Sequence, residues 1–152
     1  MNSKSVYTPQ FIINGEKTDF GYQFDSILKT IDKELEKKAQ AQVRLQVDKK
    51  DNRLRIKYSL NDVPKDYLLN IALVERNLKT YIPKGENIGK ILHNENVVRK
   101  FESLIIKNRE GEVNIDIPSM IALANASIIG CLQHPEKMNI VTASEVRLNN
   151  NN

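Results

Sequence analysis

At 152 residues and 40% apolar content, the chain is sized for one ordinary domain or a small domain with an appendage. No apolar run is long enough to span a membrane, and Met-Asn-Ser-Lys-Ser lacks the apolar segment of a secretory signal, so a signal would have to sit in a longer parent chain. The formal charge of +4, from 23 basic and 19 acidic residues, is modest and dispersed, and the few aromatics do not interleave with it, which argues against a nucleic-acid partner.

The first readable stretch runs from Tyr7 to Gln40. The apolar segment Tyr7-Thr8-Pro9-Gln10-Phe11-Ile12-Ile13 ends at Asn14-Gly15, a pair suited to the two positive-φ positions of a type I′ turn. Lys17 to Phe20 then form a short antiparallel partner, closed by Gly21. Phe24, Ile27, Leu28, Ile31 and Leu35 follow at the spacing of one helix face, with Asp25 and Ser26 at its start and Lys37 and Lys38 at its end. Pro9 reads from its position alone as the start of a strand, where a missing N–H does little harm.

This order of strand, Asn-Gly hairpin, strand and amphipathic helix resembles the C-terminal half of a thioredoxin fold. The resemblance implies that Thr8-Pro9 stands where that fold carries a Thr-cisPro dipeptide beside its thiol-substrate site. The β-α-β unit that carries the redox cysteines in such folds would need more than the six residues ahead of Tyr7. The helix stripe therefore packs on the rest of the chain, meets a second copy through the uncovered helix face, or stays partly exposed.

From Ala41 the period becomes two. Val43, Leu45 and Val47 alternate with polar residues, as do Leu54, Ile56, Tyr58 and Leu60, and a polar turn over Asp48 to Arg53 would pair Val47 with Leu54, Leu45 with Ile56 and Val43 with Tyr58. Arg53, Arg55 and Lys57, joined by Lys49 and Lys50, read as the solvated face of this hairpin. A third strand spans Tyr67 to Glu75, a brief extended piece covers Thr80 to Pro83, and Lys84 to Asn96, rich in Gly and Asn, reads as a long loop. Strands follow over Val97 to Ile106 and Glu112 to Ile117. A final hairpin, Ala126 to Gln133 and Met138 to Leu148, turns at His134-Pro135-Glu136-Lys137. Met138, Ile140, Val146 and Leu148 share one parity, which would set Ile129 and Cys131 in the core. About seven short strands with one helix ahead of them give an antiparallel β-sandwich.

Chemistry is sparse. None of the common nucleotide, hydrolase or metalloprotease motifs occurs, two histidines cannot make a three-His metal site, and the single cysteine, Cys131, cannot form an intrachain disulfide or run a dithiol cycle. No cofactor is implied, and the chain itself reads as non-enzymatic. The richest polar segment is the Lys84 to Arg99 loop. Gly85 and Gly89 permit tight turns, Asn and His side chains can brace the loop backbone, and Gly85, Glu86, Asn87, His93, Asn96 and Arg99 together offer a recognition surface; Glu86 and His93 could also form an acid–base pair, though no nucleophile accompanies them.

Gly85-Glu86-Asn87, Gly89 and Leu92-His93-Asn94-Glu95-Asn96-Val97-Val98-Arg99, with Thr8-Pro9-Gln10, Asn14-Gly15 and the closing Ala126 to Gln133 and Ala143 to Leu148, resemble the secreted thioredoxin-fold proteins catalogued as domain of unknown function 1223. The chain has one residue more than that family's pattern before Asn96. It is more distantly similar to Omp28-like outer-membrane proteins. The resemblance implies an α+β chain: residues 1–40 as the C-terminal β-β-α unit of a thioredoxin-like fold whose N-terminal part is missing, residues 41–148 as a β-sandwich, and 149–152 as a disordered tail. It further implies a periplasmic or secreted bacterial protein. Binding of a protein or peptide through Thr8, Pro9 and the Gly85 to Arg99 loop is the expected role, with a thiol–disulfide oxidoreductase whose cysteines lie upstream as the rival.

Overall fold

The computed structural model describes residues 11–18, 24–39, 41–63 and 66–148. The expectations for Thr8, Pro9 and the 149–152 tail fall outside them. Two antiparallel sheets face each other. One has the strand order β11-β10-β5-β8, built from β5 (Leu68–Glu75), β8 (Val97–Ile105), β10 (Ala126–Gln133) and β11 (Ile140–Arg147); the other has the order β3-β4-β9, from β3 (Gln42–Lys50), β4 (Arg53–Asn61) and β9 (Glu110–Asp116). Ahead of them lie the hairpin β1 (Phe11–Ile13) and β2 (Glu16–Thr18) and the helix α1 (Phe24–Leu35).

Alternation explains the core. Leu54, Ile56 and Leu60 of β4 and Val113 and Ile115 of β9 point inward to meet Leu69, Ile71 and Leu73 of β5 and Ile128 and Leu132 of β10, all buried. Gly130 faces this core because Leu45 fills its place: a Cβ there would meet the Leu45 methyls at 2.9 Å. The ring of Tyr58 lies over its cross-strand partner Gly111 in the same way.

The sequence-based pairing of β3 with β4 is displaced by two residues. Leu45 stands opposite Tyr58 and Val47 opposite Ile56, because the strands run on through Lys49 and Lys50 to a tight turn at Asp51-Asn52, with Asp51 at φ 53°. The shift preserves which face is apolar, so composition alone could not detect it. The parity of the last hairpin also changes. A bulge at Leu132/Gln133 puts Ile140 opposite Gln133, and Val141 packs against the core instead. Cys131 lies on the outer face of the four-stranded sheet, half-buried beside Asn70, and not in the core. A central strand with apolar residues on both faces, as in Ile128-Ile129 and Cys131-Leu132, has no alternation from which to read its parity.

The count of about seven strands after Ala41 is also too low. Two more, β6 (Leu78–Tyr81) and β7 (Ile91–Asn94), pair with each other: β6 overlaps the brief extended piece read at Thr80 to Pro83, and β7 lies inside the segment read as a loop. Glu75 stands opposite Val97 and Leu78 opposite Asn94, so β5-β6 and β7-β8 form one long hairpin, interrupted where Arg76-Asn77 faces Glu95-Asn96. Both asparagines take positive φ, 58° for Asn77 and 51° for Asn96, which breaks the two strands together.

Among the described residues, the first unit meets the sandwich at the Asn-Gly turn and along a seam between the helix end and β11. Asn14 and Gly15 have φ of 49° and 80°, as the type I′ turn requires. The Ile140 N–H donates to the Asn14 carbonyl at 2.7 Å, and Gly15 lies flat against the backbone of Met138. Asn14 Nδ2 also donates to Glu34 Oε2 at 3.2 Å, tying the turn to the helix end, and Phe11 meets Phe24 edge-on. Of the helix stripe only Ile27 is buried, at 5% exposure; Phe24, Leu28, Ile31 and Leu35 are exposed, Leu35 at 78%.

Candidate functional site

The structure draws most of the sequence-derived site residues onto the long hairpin. Gly85, Glu86 and Asn87 are in its tip, His93 is on β7 opposite Lys79, Asn96 is at the break, and Arg99 is at the start of β8. Thr8 and Pro9 lie outside the described residues. Backbone turns, more than side chains, make the tip rigid: Ile88 N–H donates to Gly85 O, Lys90 N–H to Asn87 O, and Ile82 and Gly89–Lys90 close the loop reciprocally. Gly85 and Gly89 sit at φ 87° and 79° with open space around them. Lys90 Nζ donates to Asn87 Oδ1 at 2.9 Å.

Glu86 and His93 do not form an acid–base pair. Both are exposed, and they share no hydrogen bond among the described residues. What composition hid is the apolar character of the arm. Tyr81, Ile88, Ile91 and Leu92 all stand out in solvent, Ile88 at 63% exposure, among Lys79, Lys84 and Lys90. Their signal was there in the sequence as isolated apolar residues within a polar segment.

Arg99 has a different job from its neighbours. Its Nε donates to Glu75 Oε2 at 2.7 Å, and the other oxygen of that buried carboxylate accepts the Ala122 N–H at 2.8 Å. Arg99 is also the extra residue of a bulge against Leu73 and Val74, which lets its side chain turn back over the sheet. It locks the arm's root to the loop that closes the sandwich.

The basic row on β4 is neutralised in place. Arg53 pairs with Asp116 at 2.6 Å, Arg55 with Asp48 at 3.3 Å and Glu112 at 3.9 Å, and Lys57 with Asp48 at 3.8 Å. The open concavity of about 780 Å³ beside the β3–β4 turn sets Lys49, Lys50, Arg53 and Arg55 among Asp48, Asp51 and Asp116, so nearly all of its positive charge is offset and little is left for a phosphate backbone. Among the described residues no group of three or more His, Cys, Asp or Glu is arranged to hold a metal, and no helix is long and apolar enough to cross a membrane.

Cys131 sits in a polar chain across the sheet's outer face. Ser103 Oγ donates to Asn70 Oδ1 at 2.6 Å, Asn70 Nδ2 to Gln133 Oε1 at 2.8 Å, and Gln133 Nε2 to the Met138 carbonyl at 2.6 Å. Burial pushes the Cys131 thiol up from its ordinary pKa, with a hydrogen bond to Asn70 acting weakly the other way. A raised pKa leaves less thiolate at neutral pH, the opposite of what a nucleophile needs. Iodoacetamide labelling of the native chain at pH 7 is accordingly expected to run slower than that of the urea-unfolded chain, and insulin reduction to stay at background. A native rate equal to or above the unfolded one would contradict this.

The profile of the family described as protein of unknown function, DUF1223, matches residues 1–133. The chain belongs to this family. No curated protein matches it. Solved structures that resemble this DUF1223 chain in fold include the following two. A domain of the outer membrane lipoprotein Omp28 from Porphyromonas gingivalis matches with a TM-score of 0.54 at 10% identity, over 73% of this chain and 89% of that one. A protein from Agrobacterium tumefaciens matches with a TM-score of 0.57 at 15% identity, over 97% of this chain and 65% of that one. At these identities the likeness concerns fold alone. The fold shared with them is mostly antiparallel β, with one helix among the described residues.

Proposed function

We propose that this DUF1223 chain is a non-catalytic, binding portion of a bacterial envelope or secreted protein, and that the β6–β7 arm is its contact surface for a protein or peptide. The observation that carries this reading is the projecting arm itself. Exposed Tyr81 and Ile91, cross-strand partners on one face, with Ile88 at the tip and Leu92 on the other face, give a hairpin braced by backbone turns preorganised apolar surface, which loses little entropy on binding. Gly85, Glu86, Asn87 and His93 border it, and Thr8 and Pro9, outside the described residues, are a second proposed contact. An envelope location rests on the fold likeness to an outer-membrane lipoprotein domain.

The test is site-specific. A photo-crosslinker at Ile88 is expected to capture a discrete partner from an envelope extract, whereas the same group at Ser59, on the outer face of the three-stranded sheet, captures none. Tyr81→Ser with Ile88→Ser should lower capture about tenfold or more while the unfolding midpoint stays put. Equal capture from Ser59, or capture unaffected by the double substitution, would overturn the reading.

The uncovered stripe on α1 favours a second reading: residues 1–40 are the closing unit of a thioredoxin-like domain whose earlier part covers Phe24, Leu28, Ile31 and Leu35 in a longer chain. The Agrobacterium protein extends beyond the matched 65% of its length, which leaves room for such a part. In that case the parent would be a thiol–disulfide oxidoreductase with its cysteines upstream of this sequence. A coding sequence that continues upstream in frame through a strand and a Cys motif supports this reading; an in-frame stop codon immediately before Met1 removes it.

A further inference from the structure

The four-stranded sheet ends at β8, and no strand pairs with its outer side among the described residues. Ile106 N–H donates to the Tyr67 carbonyl at 2.9 Å. In an antiparallel ladder the backbone groups alternate in direction, so residues 106, 104 and 102 turn theirs toward β5 and residues 105, 103 and 101 turn theirs outward. Every residue from Val98 to Ser103 is exposed, on both faces of the strand, and Phe101 is 56% exposed on the same face as Ile105. The strand is therefore free as a pairing template and also as an apolar surface.

Edge strands are commonly protected by a bulge and by lysine. Both are present in β8, but neither blocks approach. The bulge residue Arg99 is folded back onto Glu75, and Lys100 has Glu102 two positions away on the same face. We propose that β8 pairs antiparallel with β8 of a second copy of this chain, about a twofold axis at Phe101, to make one eight-stranded sheet across a dimer. In that register Lys100 of each copy faces Glu102 of the other, twice over, and the two Phe101 rings meet on the opposite face. Sliding the pairing by two residues to centre on Ser103 places Lys100 opposite Ile106 and Glu102 opposite Leu104, which leaves both charges without a partner. The charge pattern thus selects one register and suits a self-complementary twofold contact. An interface of one strand from each copy lies at the small, transient end of the range, so the dimer should populate at on the order of 100 μM chain.

Sedimentation velocity over a concentration series of the full chain tests this. The wild-type chain is expected to dimerise. Lys100→Glu or Glu102→Lys alone places like charges in contact twice and should weaken the dimer about tenfold. The double variant should restore it, and an equimolar mixture of the two single variants should associate more tightly than either alone. These substitutions are on exposed side chains, so unfolding temperatures should not move. Leu28→Ser with Leu35→Ser, which alters the helix face, should leave association unchanged. A monomeric wild type at the highest concentration, no rescue in the double variant or the mixture, or dimer loss confined to the helix variant would each overturn the proposal.

Discussion

Replacing Arg99 by Ala is expected to destabilise the sandwich by about 2–4 kcal/mol, although Arg99 lies on an otherwise exposed strand. Its partner Glu75 has only 3% of its side chain exposed and holds two donors, the Arg99 guanidinium and the Ala122 N–H. Deleting the cation leaves a buried carboxylate with one backbone donor. Breaking a fully buried pair costs about 3–5 kcal/mol, and the smaller loss expected for this pair reflects water reaching the third of Arg99 that is exposed. Glu75→Gln in the Arg99→Ala background should recover much of the loss, since a neutral amide still accepts from Ala122 N–H and carries no uncompensated charge. Urea unfolding of the wild-type chain, the two single variants and the double variant measures the coupling. If Arg99→Ala changes stability by less than about 0.5 kcal/mol, the pair does not hold the arm's root.

Gly15→Ala is expected to release the first unit from the sandwich while leaving the sandwich folded. Gly15 has φ 80°, and a Cβ there would come within 2.0 Å of the Met138 carbonyl oxygen, a backbone atom that cannot rotate aside. The left-handed conformation costs an L-residue about 1–2 kcal/mol, and forced repacking adds a similar amount, roughly 2–4 kcal/mol in all. The attachment has little else in reserve: one backbone bond from Ile140 to Asn14, and a shallow seam lined by Leu35, Lys38, Ile140 and Thr142. Hydrogen exchange should show lost protection in 11–35 with little change in β3 to β5 and β8 to β10. Unchanged protection throughout would mean that the turn is not what fixes the unit.

Features that depend on neighbours in sequence were legible in advance. The helix face, the Asn-Gly turn and the inward-facing residues of β3, β4 and β9 all follow from periods that a chain writes locally. The arm was not legible as strands. With both faces of β6 and β7 in solvent, no alternation marks them; Thr80 to Pro83 read only as a brief extended piece, and Gly and Asn made Lys84 to Asn96 read as loop. Of the candidate residues, Gly85, Glu86, Asn87, His93 and Asn96 share that arm, whereas the inward turn of Arg99 depends on Glu75, 24 positions earlier, and on a bulge that sequence spacing does not reveal.

Local pattern by itself determined that this DUF1223 chain folds as antiparallel β with an amphipathic helix at its start, because side-chain period and turn chemistry need no distant partner. Register, the face taken by Cys131, the burial of Glu75 and the exposure of the α1 stripe were decided only by tertiary structure. Each depends on which surfaces from remote parts of the chain come together to exclude water, and that choice is made by packing, not by neighbouring residues.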